Sequence, residues 1–136
     1  MLLLDTCAAI WLANGDPMSP GSLRAIRAAT TRGEVLVSPV SAWEIGMLAA
    51  RPRPGVVFHP NPQAWFARLL ALPGVQLAPL TPEAGIESSF LPGKPSGDPA
   101  DRLLIATARA LAASLVTRDR GLLRYGATGQ LRVLAC

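Results

Sequence analysis

Five of the nine acidic residues in this 136-residue chain stand where apolar, strand-like runs hand over to helix-like ones. Asp5 closes Met1-Leu2-Leu3-Leu4, and Glu44 lies in Ser38-Pro39-Val40-Ser41-Ala42-Trp43-Glu44-Ile45. Asp98 and Asp101 open the segment Asp98-Pro99-Ala100-Asp101-Arg102, and Asp119 follows Ser114-Leu115-Val116-Thr117. In a parallel α/β sheet such junctions collect at the carboxyl ends of the strands, the edge where these folds build their sites. Carboxylates converging there repel, and one must take up a proton unless a cation holds them. Mg²⁺ or Mn²⁺ suits such a cage, because both prefer oxygen ligands and keep several bound waters.

Each acid also has an ordinary structural role open to it. Ser41-Ala42-Trp43-Glu44 matches a capping box, in which Glu44 accepts from the Ser41 backbone N–H. Asp98-Pro99 reads as an N-cap with proline at the first helical position, and Asp101 then falls where the helix dipole favours negative charge. Asp5 and Asp119 can cap the helices that follow them. A cap contributes about 1 kcal/mol and implies no chemistry. The conjunction is what points further: three of the acids follow strands expected to be neighbours at the centre of the sheet.

Other chemistries find little support. No glycine-rich phosphate loop follows the first strand, so neither a dinucleotide nor a Walker A nucleotide site is indicated. His59 sits in a proline-rich stretch with no motif around it and reads as a surface loop residue. Cys7 and Cys136 are too few for a disulfide framework or a zinc site. Cys7, in an apolar stretch, is expected to be a buried small residue.

The net charge is +4 with a pI near 10.0, carried by 13 Lys and Arg, of which Lys94 is the single lysine. A basic chain with its acids concentrated in one place suits a polyanionic partner with a metal between the two. The plainer alternative is that moderate basicity keeps the protein soluble. The opening apolar run is broken by Asp5 and lacks a basic region before it, so no signal peptide is indicated. No apolar stretch reaches the roughly 20 residues that span a bilayer. A cytoplasmic protein without a membrane partner is the expectation.

The elements that must position these acids follow from the pattern of apolar runs and breakers. Residues 1–5 form a buried strand, and Thr6 to Asn14 a helix stopped by Asn14-Gly15-Asp16-Pro17. A helix over Ser22–Thr31 and a strand over Glu34–Ser38 come next. A third helix starts at Pro39 or just after Ser41 and runs to about Ala50. Arg51 to Pro62 holds four prolines and reads as a loop. Then follow a helix at Gln63–Leu72, a strand at Val75–Ala78, a short helix ending at Ser89 and a second loop over Leu91–Asp98. A long helix Pro99–Ala113, a strand Ser114–Thr117, a helix Asp119–Tyr125 and a strand Leu131–Leu134 complete the chain. Alternation of this kind predicts one α/β domain over residues 1–136, a parallel sheet covered by helices on both faces.

The ordered set Leu2-Leu3-Leu4-Asp5-Thr6, Ser38 to Ile45, Asp98 to Ala108, and Leu115-Val116-Thr117-Arg118-Asp119 resembles the PIN-domain ribonucleases. The likeness is strongest to the toxin component of VapBC-type toxin–antitoxin pairs, and it runs from residue 2 to about 125. It implies a PIN-like three-layer sandwich and a Mg²⁺- or Mn²⁺-dependent site that hydrolyses RNA phosphodiester bonds. Carried over residue by residue, it implies Asp5, Glu44, Asp101 and Asp119 as the catalytic, metal-holding quartet. Asp101 is chosen over Asp98 because the family's third acid stands immediately before the apolar helix; Asp98 is a further metal ligand or a cap. Thr6, Ser41 and Thr117 would supply hydroxyls beside the ligands. Arg102, Arg118 and Arg120 could contact RNA phosphates, with solvation or pairing to neighbouring acids as the alternative. The implied partners are an RNA substrate, a cognate antitoxin and a second copy of the chain.

Apolar side chains crowd the first and third helices (Ile10, Trp11, Leu12; Trp43, Ile45, Met47, Leu48), more than a small core absorbs. The surplus suits a dimer and a groove for an antitoxin helix. Two other functions stand beside the nuclease: a PIN-like RNA-binding or RNA-processing module outside any such pair, and a metal-dependent phosphatase. The phosphatase lacks support, since the acid expected two residues after Asp5 is replaced by Cys7.

Overall fold

The computed structural model describes residues 1–51 and 56–136. Residues 52–55, part of the predicted proline-rich loop, lie outside the described residues. The chain runs β1 (Leu2–Leu4), α1 (Thr6–Asn14), α2 (Pro20–Thr30), β2 (Val35–Val37), α3 (Pro39–Ala50), α4 (Pro62–Leu70), β3 (Val75–Leu77), α5 (Pro82–Glu87), α6 (Pro99–Ala110), β4 (Ser114–Thr117), α7 (Arg120–Ala127) and β5 (Val133–Ala135).

Proline starts helices here more than it breaks them. Pro20, Pro39, Pro62, Pro82 and Pro99 each stand in the first turn of a helix, behind the caps Ser19, Ser38, Asn61, Thr81 and Asp98. A missing N–H costs nothing at that position, where no carbonyl of the helix would receive it. Among the described residues no helix is long and apolar enough to cross a membrane.

The strands form one parallel sheet in the order β3-β2-β1-β4-β5. Strands this short and this apolar belong to a sheet covered on both faces. Their alternation divides the core in two. Leu3, Leu36 and Leu115 meet Ala100, Leu104, Leu122 and Tyr125 of α6 and α7. Leu4, Val35, Val37 and Val116 meet Ala8, Ile26, Trp65 and Leu69 of α1, α2 and α4. The three-layer α/β sandwich expected from the sequence is therefore what forms.

Topology decides where a ligand can bind. The chain moves outward from β1 through β2 to β3, then returns to lay β4 on the other side of β1. Connections leave β1 and β4 in opposite directions, which opens a crevice at their carboxyl ends. Asp5 follows β1 there and Asp119 follows β4.

Several boundaries differ from those read in the sequence. The third helix takes the earlier of the two expected starts, Pro39, with Ser38 as its cap, so Ser41 and Glu44 form no capping box. α6 stops at Ala110 and not at Ala113, because Ala112 turns left-handed (φ 50°) and Ala113 N–H bonds back to the Ala108 carbonyl at 2.9 Å. The last strand pairs through Val133–Ala135, two residues later than its predicted start, since Leu131 is buried in the core instead. Cys7 is exposed, contrary to expectation. Thr6 turns inward to Ser41 and Glu44, and a step of 100° round the helix carries the next side chain outward. His59 is exposed, as predicted.

Candidate functional site

Three strand ends supply the frame. Asp5 caps α1, its Oδ1 accepting from Ala8 N–H at 2.7 Å. The residue after it, Thr6, is buried and reaches across to α3: its hydroxyl lies 2.6 Å from Glu44 Oε1 and 3.0 Å from Ser41 Oγ. With one proton to give, Thr6 donates to the carboxylate, and the Ser41 hydroxyl completes the row. Glu44 is thus held by α1, not by the start of its own helix.

Asp119 caps α7, its Oδ1 accepting from Leu122 N–H at 2.9 Å. Its own N–H donates to Thr117 Oγ1 at 3.0 Å. Thr117 is fully buried, and its hydroxyl faces Asp5, so one side chain links the acids that follow β1 and β4.

The fourth and fifth acids enter from α6. Asp98 caps the helix through Oδ1 and Ala100 N–H at 2.8 Å. Asp101 stands in the first turn and accepts from the Ser96 hydroxyl at 2.8 Å, while Ser96 Oγ accepts from Asp98 N–H at 3.1 Å. The sequence motifs do not single out Ser96. A serine two residues before an aspartate often bonds to its backbone, but many surface turns carry the same pattern.

The electrostatics show one field of negative charge. Burial, the largest cause, raises the carboxyl pKa of Asp5, Glu44 and Asp101 above the ordinary range. Mutual repulsion adds to it: Asp119 acts on Asp5, Asp98 and Asp101 act on Glu44, and Asp98 acts on Asp101. The hydroxyls of Thr117, Thr6 and Ser96 oppose the rise at Asp5, Glu44 and Asp101 respectively. Partial desolvation, then the Asp5 and Glu44 carboxylates, push the Cys7 thiol upward too.

Among the described residues no basic side chain pairs with these acids: the one ion pair joins Arg32 to Glu34, far from this edge. Arg118, a candidate for RNA contact or for pairing with the acids, is engaged elsewhere. It donates to the Cys136 and Pro17 carbonyls at 2.9 and 3.0 Å and stacks over Trp11 at 4.0 Å. Arg102 donates to the Ser88 carbonyl at 3.3 Å, and Arg120 is exposed at the start of α7.

The donor set fits a hard divalent cation: oxygen donors only, acids that no ion pair among the described residues neutralises, and hydroxyls that orient the carboxylates. The acids gather without touching. Among the described residues no three of them stand at ligating range round one point. One oxygen of each is held by a donor of this chain, and the other is the one an added ligand can take.

A PIN domain model matches residues 2–127, nearly the whole chain. The chain belongs to the PIN domain family. Within it, the chain is 32% identical over 121 residues to ribonuclease VapC22 of Mycobacterium tuberculosis, covering 89% of this chain and 88% of that protein. The PIN fold is shared with VapBC2 from Rickettsia felis, crystallised bound to a DNA fragment from its promoter (TM-score 0.71, 14% identity, 98% of this chain and 97% of that one). It is shared also with DNA-bound VapBC from Salmonella typhimurium (TM-score 0.66, 16% identity, 98% and 96%). The structure of FitAB bound to an IR36 DNA fragment aligns with a TM-score of 0.63 at 20% identity, over 99% and 94%.

Proposed function

We propose that this chain is a Mg²⁺- or Mn²⁺-dependent endoribonuclease and the toxin half of a cytoplasmic toxin–antitoxin pair. The observation that carries the reading is the gathering of Asp5, Glu44, Asp98, Asp101 and Asp119 at the carboxyl edge, with no basic partner among the described residues. Membership of the PIN domain family and the 32% identity to a VapC ribonuclease support it.

Asp5, Glu44, Asp101 and Asp119 would hold the cation, with Asp98 beside them. Bound there, a divalent cation lowers the pKa of a water ligand and braces a phosphate oxygen. The chain's own contribution is orientation and proton acceptance. Thr6 presents Glu44, Ser96 presents Asp101, and Thr117 ties Asp5 to the backbone of Asp119. Carboxyls with raised pKa are better proton acceptors near neutrality, so the same burial that makes the cage costly in stability suits it to accept a proton from water. Arg102 and Arg120 flank the edge where a phosphate would lie, while Arg118 braces the chain end.

An antitoxin partner and a homodimer belong to the same reading. The FitAB and VapBC neighbours support a partner. Trp43 and Met47 lie one turn apart and exposed on α3, and Ile45, Gly46, Ala49 and Phe66 line an apolar recess of about 580 Å³ between α3 and α4. A helix with apolar residues at matching spacing could occupy it.

The decisive experiment is cleavage of single-stranded RNA by the purified chain with Mg²⁺, with chelator, and as Asp5→Asn. Metal-dependent cutting that disappears in Asp5→Asn is expected, and a folded Asp5→Asn protein that cuts at the parent rate would refute the metal mechanism. Light scattering tests the dimer: a strict monomer at tens of micromolar counts against it. Co-expression with the adjacent upstream gene tests the antitoxin. Failure to co-purify or to suppress cleavage would favour an RNA-processing enzyme outside any such pair.

A further inference from the structure

The loop over residues 91–98 and helix α7 leave an open cleft between them of about 600 Å³, lined by Lys94, Ser96, Gly121, Arg124, Tyr125 and Thr128. Two of these residues connect it directly to the carboxylates. Ser96 is the hydroxyl donor to Asp101 Oδ2. Gly121 lies against Asp119: a Cβ there would stand 3.1 Å from Asp119 Oδ1 and 3.8 Å from the Arg124 guanidinium. A side chain at residue 121 would crowd Asp119 at this end of the cleft.

The charge of the cleft is opposite to that of the site it opens from. Its charged residues are Lys94, the one lysine of the chain, and Arg124; both are exposed, and neither is among the ion pairs of the described residues. Cations placed only to neutralise the acids would be expected in contact with them. These instead form a separate positive wall one step away. The loop that carries Lys94 is tied to α7: the Tyr125 hydroxyl donates to the Pro92 carbonyl at 2.8 Å, and the Tyr125 ring is buried. A cleft of this volume is in the range that receives a small-molecule-sized group.

Acids that attract a phosphate only through a cation, followed by a cleft with two cations of its own, match a chain of regularly spaced phosphates. We propose that this cleft holds the phosphate of a nucleotide flanking the scissile linkage of single-stranded RNA, with Lys94 and Arg124 as its contacts. Lysine supplies a point charge and arginine a planar fork for phosphate oxygens. The assignment rests on the nuclease reading above and adds to it a subsite that fixes the register of the RNA.

The test measures binding of a single-stranded RNA oligonucleotide to Asp5→Asn protein, in chelator, across a range of KCl concentrations. Removing one phosphate-neutralising side chain lowers the slope of log K against log salt by about 0.7 for single strands. Lys94→Gln/Arg124→Gln in that background removes both contacts to one phosphate and should reduce the slope by about that amount. In the otherwise native chain the same pair should raise KM with little change in kcat. Arg109→Gln/Arg132→Gln is the charge-matched control. Those arginines sit at the opposite edge, against the Gln130 and Ala112 carbonyls, and their removal should leave the slope as it was. An unchanged slope and KM in Lys94→Gln/Arg124→Gln overturns the subsite while leaving the nuclease intact, and so does an equal drop in the control pair. A folded native chain that neither cuts nor binds RNA overturns the nuclease reading, and the subsite with it.

Discussion

The Thr6 hydroxyl lies 2.6 Å from Glu44 Oε1, and this bond joins the end of β1 to the middle of α3, 38 residues away in sequence. Thr6 is buried, while Glu44 is half-buried. The bond holds Glu44 toward Asp5 and opposes the rise in its pKa that burial and the neighbouring acids cause. Thr6→Val, which keeps the shape and removes the hydroxyl, should lower cleavage by about 10- to 100-fold, the usual effect of deleting a hydrogen bond to a metal ligand. The acid limb of the pH–rate profile should move to higher pH as Glu44 becomes harder to ionise. Thr6→Ser should restore both. A Thr6→Val enzyme with the parent profile would show that the bond serves the fold alone.

Metal and pH should act on stability together. Asp5, Glu44 and Asp101 have folded pKa values raised above their ordinary ones, chiefly by burial. A carboxyl of this kind binds more protons folded than unfolded. Its ionisation therefore destabilises the folded chain as pH rises from the unfolded value through the raised folded value, and the deficit persists above it. In chelator at neutral pH, Asp5→Asn should melt higher than the parent, because asparagine still caps α1 and carries no charge. The difference should shrink on acidification through that window. Mg²⁺ should raise the parent's Tm and leave Asp5→Asn nearly unmoved. Scanning calorimetry across pH, with and without Mg²⁺, checks all three, and a parent indifferent to Mg²⁺ would count against the cage.

The two acids of α6 should separate by function. Asp98 Oδ1 bonds to Ala100 N–H, a role asparagine fills, whereas Asp101 has its carboxylate oriented by Ser96. Asp101→Asn is expected to lower kcat by more than about 100-fold, of the order seen when one electrostatic stabiliser of a transition state is removed. Asp98→Asn should cost about tenfold or less. Equal decreases in steady-state cleavage assays would make Asp98 a metal ligand of the same rank.

Gly74 should tolerate no side chain. It adopts φ 74°, and a Cβ there would lie 2.2 Å from the Thr30 carbonyl oxygen, where α2 ends against the entry to β3. Gly74→Ala is expected to destabilise by roughly 2–4 kcal/mol, the range of strain and overpacking combined. Gly85 in α5 has open space around its Cα, so Gly85→Ala should stabilise by up to about 1 kcal/mol through helix propensity. Urea denaturation of the two variants measures the contrast.

Much of this protein is legible in one dimension, for local reasons. Uninterrupted apolar runs mark strands buried on both faces, and prolines behind Ser, Asn, Thr and Asp mark helix starts, because those signals act within a turn or two of chain. The acids at the strand ends are visible as a set for the same reason. Where no breaker announces the stop, the expected helix runs too long: α6 ends at a left-handed Ala112, a position where glycine would have given warning. What only the tertiary structure decided is how side chains distant in sequence meet. The return of β4 to the side of β1 set Thr117 between Asp5 and Asp119. The packing of α1 against α3 made Glu44 the partner of Thr6 and not of the Ser41 backbone N–H, and it turned Cys7 out to solvent. Arg118, close to Asp119 in sequence, was drawn to the Cys136 carbonyl and the Trp11 ring. Hydrogen-bond partners of this kind depend on strand order and helix placement, which are settled by burial of the whole core and have no signature within a few residues of chain.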